Sequence, residues 1–233
     1  MCAVIGAILV KPTKQDFDML KRVFLESKIR GMHATGITFI GKDGTLETYK
    51  EPVPSDKFSW LNNFDACLAA DGNLYLIGHC RYSTSDLKYN QPLYNDTKSI
   101  VHNGVLTQEL PENWLQLYGY KTETKNDSEL ILYSAEPLTE FSHMSMSVCE
   151  LHIDKKLVIY RNGKRPLYLT TVKNGSIITS TIDIAHRAGL QDNVITELPM
   201  NLKMTIDNNL STTFNQLNIE GATDYQYDIN QLN

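Results

Sequence analysis

Residues 1–10 read MCAVIGAILV, a cysteine followed directly by an uninterrupted nonpolar run. A short run with no polar residue on either face is typical of a β-strand that is covered on both sides. Cys2 stands immediately before that strand and has two interpretations. It is either a small buried hydrophobe at the start of a core strand or a reactive thiol at a strand end. The remaining sequence has to decide between them.

Composition narrows the class of protein. The chain has 233 residues, enough for one sizeable domain. Its formal net charge of −5 argues against a surface for nucleic acid or an anionic membrane, so neither partner is expected. The short run at 3–10 has no basic leader, and no run reaches the roughly 18–20 apolar residues of a membrane span. Four scattered cysteines without a CxxC pair suit a reducing cytoplasm, the expected location.

The histidines give no sign of a metal centre. The six histidines form no HxH, HExxH or Cys–His cluster. We therefore expect no metal site and no cofactor. Cys67, Cys80 and Cys149 are interpreted as buried core residues, because the segments around them are apolar.

Periodicity predicts many short strands and few helices. Thr13 and Asp16 resemble a capping box that opens a helix ending near Gly31. Further helices are predicted at 56–69, at 127–136 up to Pro137, and at 183–189, and 81–97 is expected to be a surface loop. Strands are predicted at 2–10, on both sides of the turn at 41–44, at 74–79, at 99–104, repeatedly from 145 onward, and as a last pair at 203–213. This order predicts an α+β fold of two antiparallel sheets with helices outside.

Domain organisation follows from the same pattern. A single domain is expected over 2–210, because we find no internal repeat and no second core. Residues 211–233 are polar, carry no positive charge and show no clear period, so a frayed or partner-dependent tail is expected there.

Polar stretches stand at the ends of several predicted elements. Alone, each has an ordinary explanation: Arg81 as a solvated charge, Gly104 as a turn glycine, Asp127 as a helix cap. The stretches are Cys2, RGMHATG (30–36), GHCRYSTS (78–85), VHNG (101–104) and NDSELI (126–131).

Their order and spacing resemble the glutaminase domain of class II glutamine amidotransferases, which are N-terminal-nucleophile hydrolases. The triplet Asn90-Gln91-Pro92, GKRPLYL (163–169) and TSTIDIAHRAGL (179–190) extend the resemblance to about residue 210. The likeness is greatest to the glutaminase halves of amidophosphoribosyltransferase and glucosamine-6-phosphate synthase. It implies a four-layer αββα sandwich.

The resemblance also explains the cysteine at position 2. Removal of Met1 would leave Cys2 with a free α-amine, a base that can take the thiol proton. The thiolate would attack the glutamine side-chain amide and form a γ-glutamyl thioester. The Asn103 side-chain amide and the Gly104 N–H are implied to stabilise the oxyanion.

The same resemblance assigns residues to the substrate. Arg81 is implied to bind the α-carboxylate and Asp127 the α-ammonium, with Thr84 near the carboxylate. Arg30 is expected beside the nucleophile. His33 departs from the family, which usually has Asp at that position, and this puts the loop geometry beside Arg30 in question.

We expect a free-standing glutaminase that hydrolyses L-glutamine and supplies ammonia to a separate acceptor-binding synthetase, since the chain carries no second domain that would consume it. Two alternatives stay open. One is a hydrolase of the same fold that acts on a γ-glutamyl amide, because that substrate presents the same amino-acid head. The other is a non-catalytic module that senses glutamine.

Overall fold

The computed structural model describes residues 2–82 and 89–222. In this part of the chain two antiparallel sheets carry most of the regular structure. The first contains β1 (Ala3–Leu9), β2 (Ala34–Ile40), β3 (Leu46–Glu51), β4 (Leu74–Arg81), β9 (Tyr168–Val172), β10 (Gly175–Thr179) and β11 (Val194–Glu197). Its strand order is β11-β9-β10-β1-β4-β2-β3.

The second sheet has six strands in the order β13-β12-β8-β7-β6-β5. They are β5 (Leu93–Tyr94), β6 (Lys98–Val105), β7 (Ser145–His152), β8 (Lys156–Arg161), β12 (Leu202–Ile206) and β13 (Thr212–Gln216). Within the described residues, five α-helices accompany the sheets: α1 (Lys14–Ser27), α2 (Trp114–Tyr118), α3 (Leu130–Tyr133), α4 (Pro137–Glu140) and α5 (Ile182–Arg187).

Strand β1 shows how the layers form. Alternate residues on one face, such as Ile5, belong to a core shared with α1 and α5. The residues on the other face, such as Val4 and Ile8, belong to a core between the two sheets. A third core packs α2, α3 and α4 on the outer face of the second sheet. The order of layers is therefore helices, sheet, sheet, helices, and the prediction that β1 is covered on both faces is confirmed.

The three cysteines predicted to be core residues are buried. Cys80 lies on β4, Cys149 on β7, and Cys67 at the end of a 3₁₀ turn that packs against the first sheet. The predictions of strands around these positions at 74–79 and from 145 onward are confirmed.

Two predicted helices are wrong in form. Residues 56–69 contain 3₁₀ turns at Ser55–Lys57, Ser59–Asn62 and Phe64–Cys67. The helix predicted over 127–136 is a 3₁₀ turn at Asp127–Glu129 followed by α3, which ends at Tyr133 because Ser134 is extended. Pro137 begins α4 instead of ending a helix, in keeping with the tolerance of proline at the first helical position.

Strand pairing continues past the predicted domain boundary at residue 210. β13 pairs with β12 over five residue pairs, from Leu202↔Gln216 to Ile206↔Thr212. Leu217 and Ile219 then pack against the third core. The first part of the predicted tail is therefore ordered, because its backbone completes a sheet edge. The last eleven residues, 223–233, lie outside the described part.

Candidate active site

Three strand ends bring together residues that are far apart in sequence. Cys2 directly precedes β1, and Ala3 pairs with Cys80, one residue before the end of β4 at Arg81. Asn103 and Gly104 lie near the end of β6 in the other sheet. The sandwich thereby places a thiol, a guanidinium and an amide at one edge.

Cys2 is half-buried and in contact with Asn103. The Cys2 N–H donates to Asn103 Oδ1 at 3.1 Å, and the Cys2 Sγ lies 4.0 Å from the carbonyl oxygen of Tyr82. Arg30 Nε donates to the carbonyl oxygen of Cys2 at 3.0 Å. The backbone of Cys2 is therefore held from both sides while its thiol faces the site.

Only the oxygen of the Asn103 side-chain amide forms a hydrogen bond among the described residues. Its Oδ1 accepts from Cys2, but its Nδ2 is buried and has no hydrogen-bond partner within the described ranges. An unsatisfied buried donor costs free energy, so native structures rarely keep one without a reason. Here the donor belongs to the amide that contacts Cys2, and it suits an oxygen that gains negative charge.

Gly104 is required by close packing. A Cβ built there would lie 1.9 Å from the carbonyl oxygen of Ser145 and 2.7 Å from His102 Nε2. The backbone φ of Gly104 is +156°, which residues with side chains rarely adopt. The N–H at this position therefore stands beside the cavity with no side chain to cover it.

A cavity of about 330 Å³ lies beside Cys2 and Gly104, whereas Asn103 is buried behind its lining. Cys2, Arg81, Gly104 and Asp127 all line it. Arg81 is 7% exposed, and its Nη1 donates to Asn90 Oδ1 at 2.6 Å. The site thus contains a fixed cation and a carboxylate, which match the two charged groups of a free amino acid.

The carboxylate of Asp127 is anchored by backbone groups. Its Oδ2 accepts from the N–H of Leu106 at 2.6 Å and from that of Thr107 at 3.4 Å. Asp127 opens a 3₁₀ turn, and Asn126 caps that turn by accepting from the N–H of Ser128. The segment therefore opens a capped turn, as predicted, and Asp127 also lines the cavity.

Arg30 and His33 flank the site. Arg30 contacts Cys2 but does not line the cavity, and burial lowers the pKa of its guanidinium. His33, at the position where the family usually has Asp, is exposed, and its N–H donates to the carbonyl oxygen of Arg81 at 3.0 Å. Its ring lies against Tyr82, with 5.0 Å between centroids. Thr84 lies outside the described residues, so its role stays a prediction.

The residues behind the site were not singled out from the sequence. Gln91 bonds to both backbone groups of His102, with Oε1 accepting from its N–H at 2.6 Å and Nε2 donating to its oxygen at 3.2 Å. His102 Nδ1 lies 2.8 Å from Ser128 Oγ, and its Nε2 lies 3.3 Å from the carbonyl oxygen of Ser145. We assign the proton to Nε2, because a carbonyl only accepts.

Two buried histidines remain uncharged. Burial lowers the pKa of His79 to about 3. Burial also lowers the pKa of His102, against the attraction of the nearby Asp127 carboxylate. His79 lines the cavity, and neither of its ring nitrogens has a partner in the described part of the chain.

The buried thiols differ from Cys2. Burial raises the pKa of Cys80 to about 12 and raises the pKa values of Cys67 and Cys149 as well. These three thiols are buried, whereas Cys2 is half-buried beside a cavity. Reagents that alkylate thiolates should therefore reach Cys2 first.

Residues 2–82 and 89–222 contain neither a metal-binding cluster nor a membrane-spanning helix. Within these ranges we find no group of three or more His, Cys, Asp or Glu side chains placed to hold a metal ion. Nor do these ranges contain a helix whose length and apolar character would let it cross a membrane.

Comparison with known proteins was made by sequence and by structure. No family model matches the chain. It is 24% identical over 190 residues to a glutamine–fructose-6-phosphate aminotransferase (isomerizing) of Sulfurisphaera tokodaii, covering 76% of this chain and 31% of that protein. It is 26% identical over 140 residues to a 7-cyano-7-deazaguanine synthase of Saccharolobus solfataricus, covering 56% of this chain and 29% of that one.

Solved structures match over most of the chain. The glutamine phosphoribosylpyrophosphate amidotransferase of B. subtilis, complexed with ADP and GMP, aligns with a TM-score of 0.67 at 18% identity. The allosteric regulatory enzyme of purine biosynthesis aligns with a TM-score of 0.72 at 17% identity. Each alignment covers 94% of this chain and 50% of the other chain. This chain therefore spans about half of those structures and less than a third of the two curated relatives.

The structural matches confirm the α+β sandwich of two antiparallel sheets expected from the sequence. Together with the sequence match to the S. tokodaii protein, they also confirm the resemblance to class II glutamine amidotransferases.

Proposed function

We propose that this chain, which resembles the class II glutamine amidotransferases and has the fold of their glutaminase domains, hydrolyses L-glutamine through a γ-glutamyl thioester on Cys2. The ammonia would pass to an acceptor-binding synthetase. One observation carries the proposal: the buried Nδ2 of Asn103, unpartnered among the described residues, belongs to the same amide that accepts a hydrogen bond from Cys2. A relative named for the transfer of an amino group from glutamine supports the choice of substrate.

The first half of the reaction uses the ends of β1 and β6. After removal of Met1, the α-amine of Cys2 takes the proton of its thiol, and the thiolate attacks the side-chain carbonyl carbon of glutamine. The carbonyl oxygen becomes an oxyanion that accepts from Asn103 Nδ2 and the Gly104 N–H. The C–N bond then breaks, and the leaving nitrogen takes the proton from the α-ammonium and departs as ammonia.

The second half returns the enzyme to its starting state. Water attacks the thioester carbon, the α-amine accepts a proton from that water, and the same donors stabilise the second oxyanion. Collapse breaks the C–S bond, so glutamate leaves and the thiol regains its proton. Overall, glutamine and water give glutamate and ammonium, because the new carboxylic acid gives its proton to the released ammonia.

Substrate orientation depends on the cation and the carboxylate of the cavity. Arg81 binds the α-carboxylate, and its guanidinium is held in place by Asn90. Asp127 binds the α-ammonium, since its Oδ2 is anchored by two backbone N–H groups that hold the carboxylate in the cavity. Arg30 supports Cys2 through the carbonyl oxygen that it contacts.

The test is the intact mass of the purified chain before and after exposure to 6-diazo-5-oxo-norleucine, an electrophilic analogue of glutamine. We expect the mass to show loss of Met1 and one adduct, and excess glutamine to prevent the adduct. Cys2→Ala should abolish the adduct, whereas Cys67→Ala, which removes a buried thiol, should retain it. Retained Met1, or no adduct on a folded chain, would overturn the thioester mechanism and favour glutamine sensing.

A further inference from the structure

The segment from Tyr89 to Pro92 is wedged between two elements. A Cβ on Gly36 of β2 would lie 2.4 Å from the carbonyl oxygen of Gln91 and 2.8 Å from Pro92 Cδ, so only glycine allows this approach. On the other side, Asn126 Nδ2 donates to the carbonyl oxygen of Tyr89 at 2.8 Å. The segment is therefore fixed at both ends.

Asn90 reaches from this segment to the guanidinium of the cavity. Its side chain is 5% exposed, and its Oδ1 accepts from Arg81 Nη1 at 2.6 Å. A short bond between a buried amide and a buried guanidinium limits the orientations of the long Arg81 side chain. Asn90 thus contributes to the direction in which Arg81 presents its other N–H groups.

Gln91 reaches in the opposite direction and completes the open edge of β6. β5 pairs with β6 at Leu93↔Ile100 and Tyr94↔Ser99. Continuing that register places Gln91 opposite His102. The side-chain amide of Gln91 supplies the next two bonds along this edge by bonding to both the N–H and the carbonyl oxygen of His102.

A second contact fixes the His102 side chain. Gln91 Nε2 also donates to Ser128 Oγ at 3.1 Å, and Ser128 Oγ lies 2.8 Å from His102 Nδ1. Backbone and ring of His102 are therefore held by one network. The next two residues along β6 are Asn103 and Gly104, whose amide and N–H are the oxyanion donors of the proposed reaction.

We propose that the neighbouring residues Asn90 and Gln91 are positioning residues for opposite ends of the substrate, an inference that rests on the proposed function. Asn90 acts through Arg81 on the α-carboxylate, which is bound equally in the ground state and the transition state. Gln91 acts through His102 on donors whose bonds strengthen only in the transition state. Adjacent substitutions should therefore change different kinetic constants.

The experiment measures glutamine hydrolysis by the full chain and by variants at Asn90, at Gln91 and at a control position. Asn90→Leu removes the short bond from Arg81 to the Asn90 amide, and we expect KM to rise by about 10-fold or more while kcat stays within about 3-fold. Gln91→Met removes both bonds to His102, and we expect kcat to fall by about 10-fold or more while KM stays within about 3-fold. If Gln91→Met does not fold, Gln91→Glu takes its place in the kinetic comparison, because it keeps the acceptor for the His102 N–H.

Asn73 supplies the matched control. It is a buried amide at the opposite end of β4, where its Oδ1 accepts from the N–H of Lys11 at 3.0 Å and its Nδ2 donates to the Tyr75 hydroxyl at 3.0 Å. Asn73→Leu should lower the melting temperature but leave KM and kcat unchanged, because it removes buried bonds of the same kind without touching the site.

A second measurement does not depend on turnover. Labelling of Cys2 by 6-diazo-5-oxo-norleucine gives a half-saturating concentration and a limiting rate. We expect Asn90→Leu to raise the half-saturating concentration and Gln91→Met to lower the limiting rate. If both variants move the two constants together, in proportion to lost stability, the segment is merely structural and the inference is overturned. A folded wild-type chain with neither turnover nor labelling overturns the proposed function and this inference with it.

Discussion

At the scale of single residues, Gly104 shows how a close backbone approach shapes the site. The position faces the carbonyl oxygen of Ser145 across the β6–β7 pair, and His102 Nε2 lies close to the same point. These two atoms leave no room for a side chain. The residue that contributes an N–H to the proposed oxyanion hole is therefore also the residue that lets β7 pack closely against the end of β6.

Gly104→Ala should damage activity more than stability. The new Cβ would force β6 and β7 apart, costing about 1–3 kcal/mol of unfolding free energy. The displaced N–H should lower kcat by about 100-fold or more. Gly44→Ala is the control, since Gly44 also has positive φ (+83°) but faces open space. Urea unfolding and glutaminase assays check both, and an active Gly104→Ala would show that this N–H is not an oxyanion donor.

The sequence indicated which residues have distinctive chemistry but not how they are supported. Cys2, Arg81, Asn103 and Asp127 stand at predicted element ends, and the fold brings these element ends to one edge. Gln91 was noticed only as part of a triplet, because nothing local says that its amide pairs with a strand eleven residues away. The sequence did offer one signal for this pairing: a polar residue before a proline and a histidine inside an apolar strand.

At the scale of elements, spacing explains one wrong helix. Phe58, Leu61, Phe64 and Cys67 are all buried and recur at every third position. A period of three matches the 3₁₀-helix, whereas an α-helix has 3.6 residues per turn.

The edge strand β11 was not predicted, for another reason. Its residues are mostly exposed, so it lacks the alternation of apolar and polar residues that marks a half-buried strand.

Helix α1 depends on a carboxylate at its N-terminus. Asp16 Oδ2 accepts from the N–H of Thr13 at 2.6 Å, from its hydroxyl at 2.7 Å and from Asn174 Nδ2 at 2.7 Å. Burial alone would raise the pKa of Asp16, but these hydrogen bonds lower it overall. Asp16 therefore stabilises the folded state above its ordinary pKa, and that contribution is lost as the pH falls through the lowered value.

Asp16→Ala should lower the free energy of unfolding by about 1–2 kcal/mol at pH 7, because it removes the cap of α1 and its link to Asn174. Asp18→Ala, on the exposed face of the same helix, should change it by no more than about 0.5 kcal/mol. Urea unfolding of both variants measures the difference. Equal effects would show that the bonds of Asp16 are replaced by water without cost.

At the scale of the whole molecule, the sandwich buries two neutral histidines in different layers, with His79 between the sheets and His102 on the outer face of the second sheet beside Ser128. His79 lies on β4 of the first sheet and His102 on β6 of the second, and both are 1% exposed. Desolvation by the two sheets disfavours the charged imidazole of His79 more than the neighbouring Arg81 does. The position of His79 in a predicted strand was readable from the sequence, but its burial depends on how the second sheet covers that strand.

This burial predicts a pH dependence of folding. The pKa of His79 is lowered from an ordinary value near 6.5 to about 3, so between these values the unfolded chain binds a proton that the folded chain does not. Stability therefore rises with pH in that window, by about 1.4 kcal/mol per pH unit for one histidine. His102 adds to the slope in the same direction, because its pKa is lowered too.

Unfolding free energies measured in urea between pH 6 and pH 4.5 test this effect by comparing variants with the wild type, because carboxylates also take up protons at the acid end of the range. His79→Gln should reduce the slope by about 1.4 kcal/mol per pH unit, because glutamine does not titrate. His186→Gln, whose ring is exposed on α5, should retain the wild-type slope. Because total stabilities are about 5–15 kcal/mol, a loss of roughly 2 kcal/mol over this range is readily measured. An unchanged slope in His79→Gln would mean that His79 is hydrated or protonated in the folded chain, and that the two sheets do not exclude water from the back of the site.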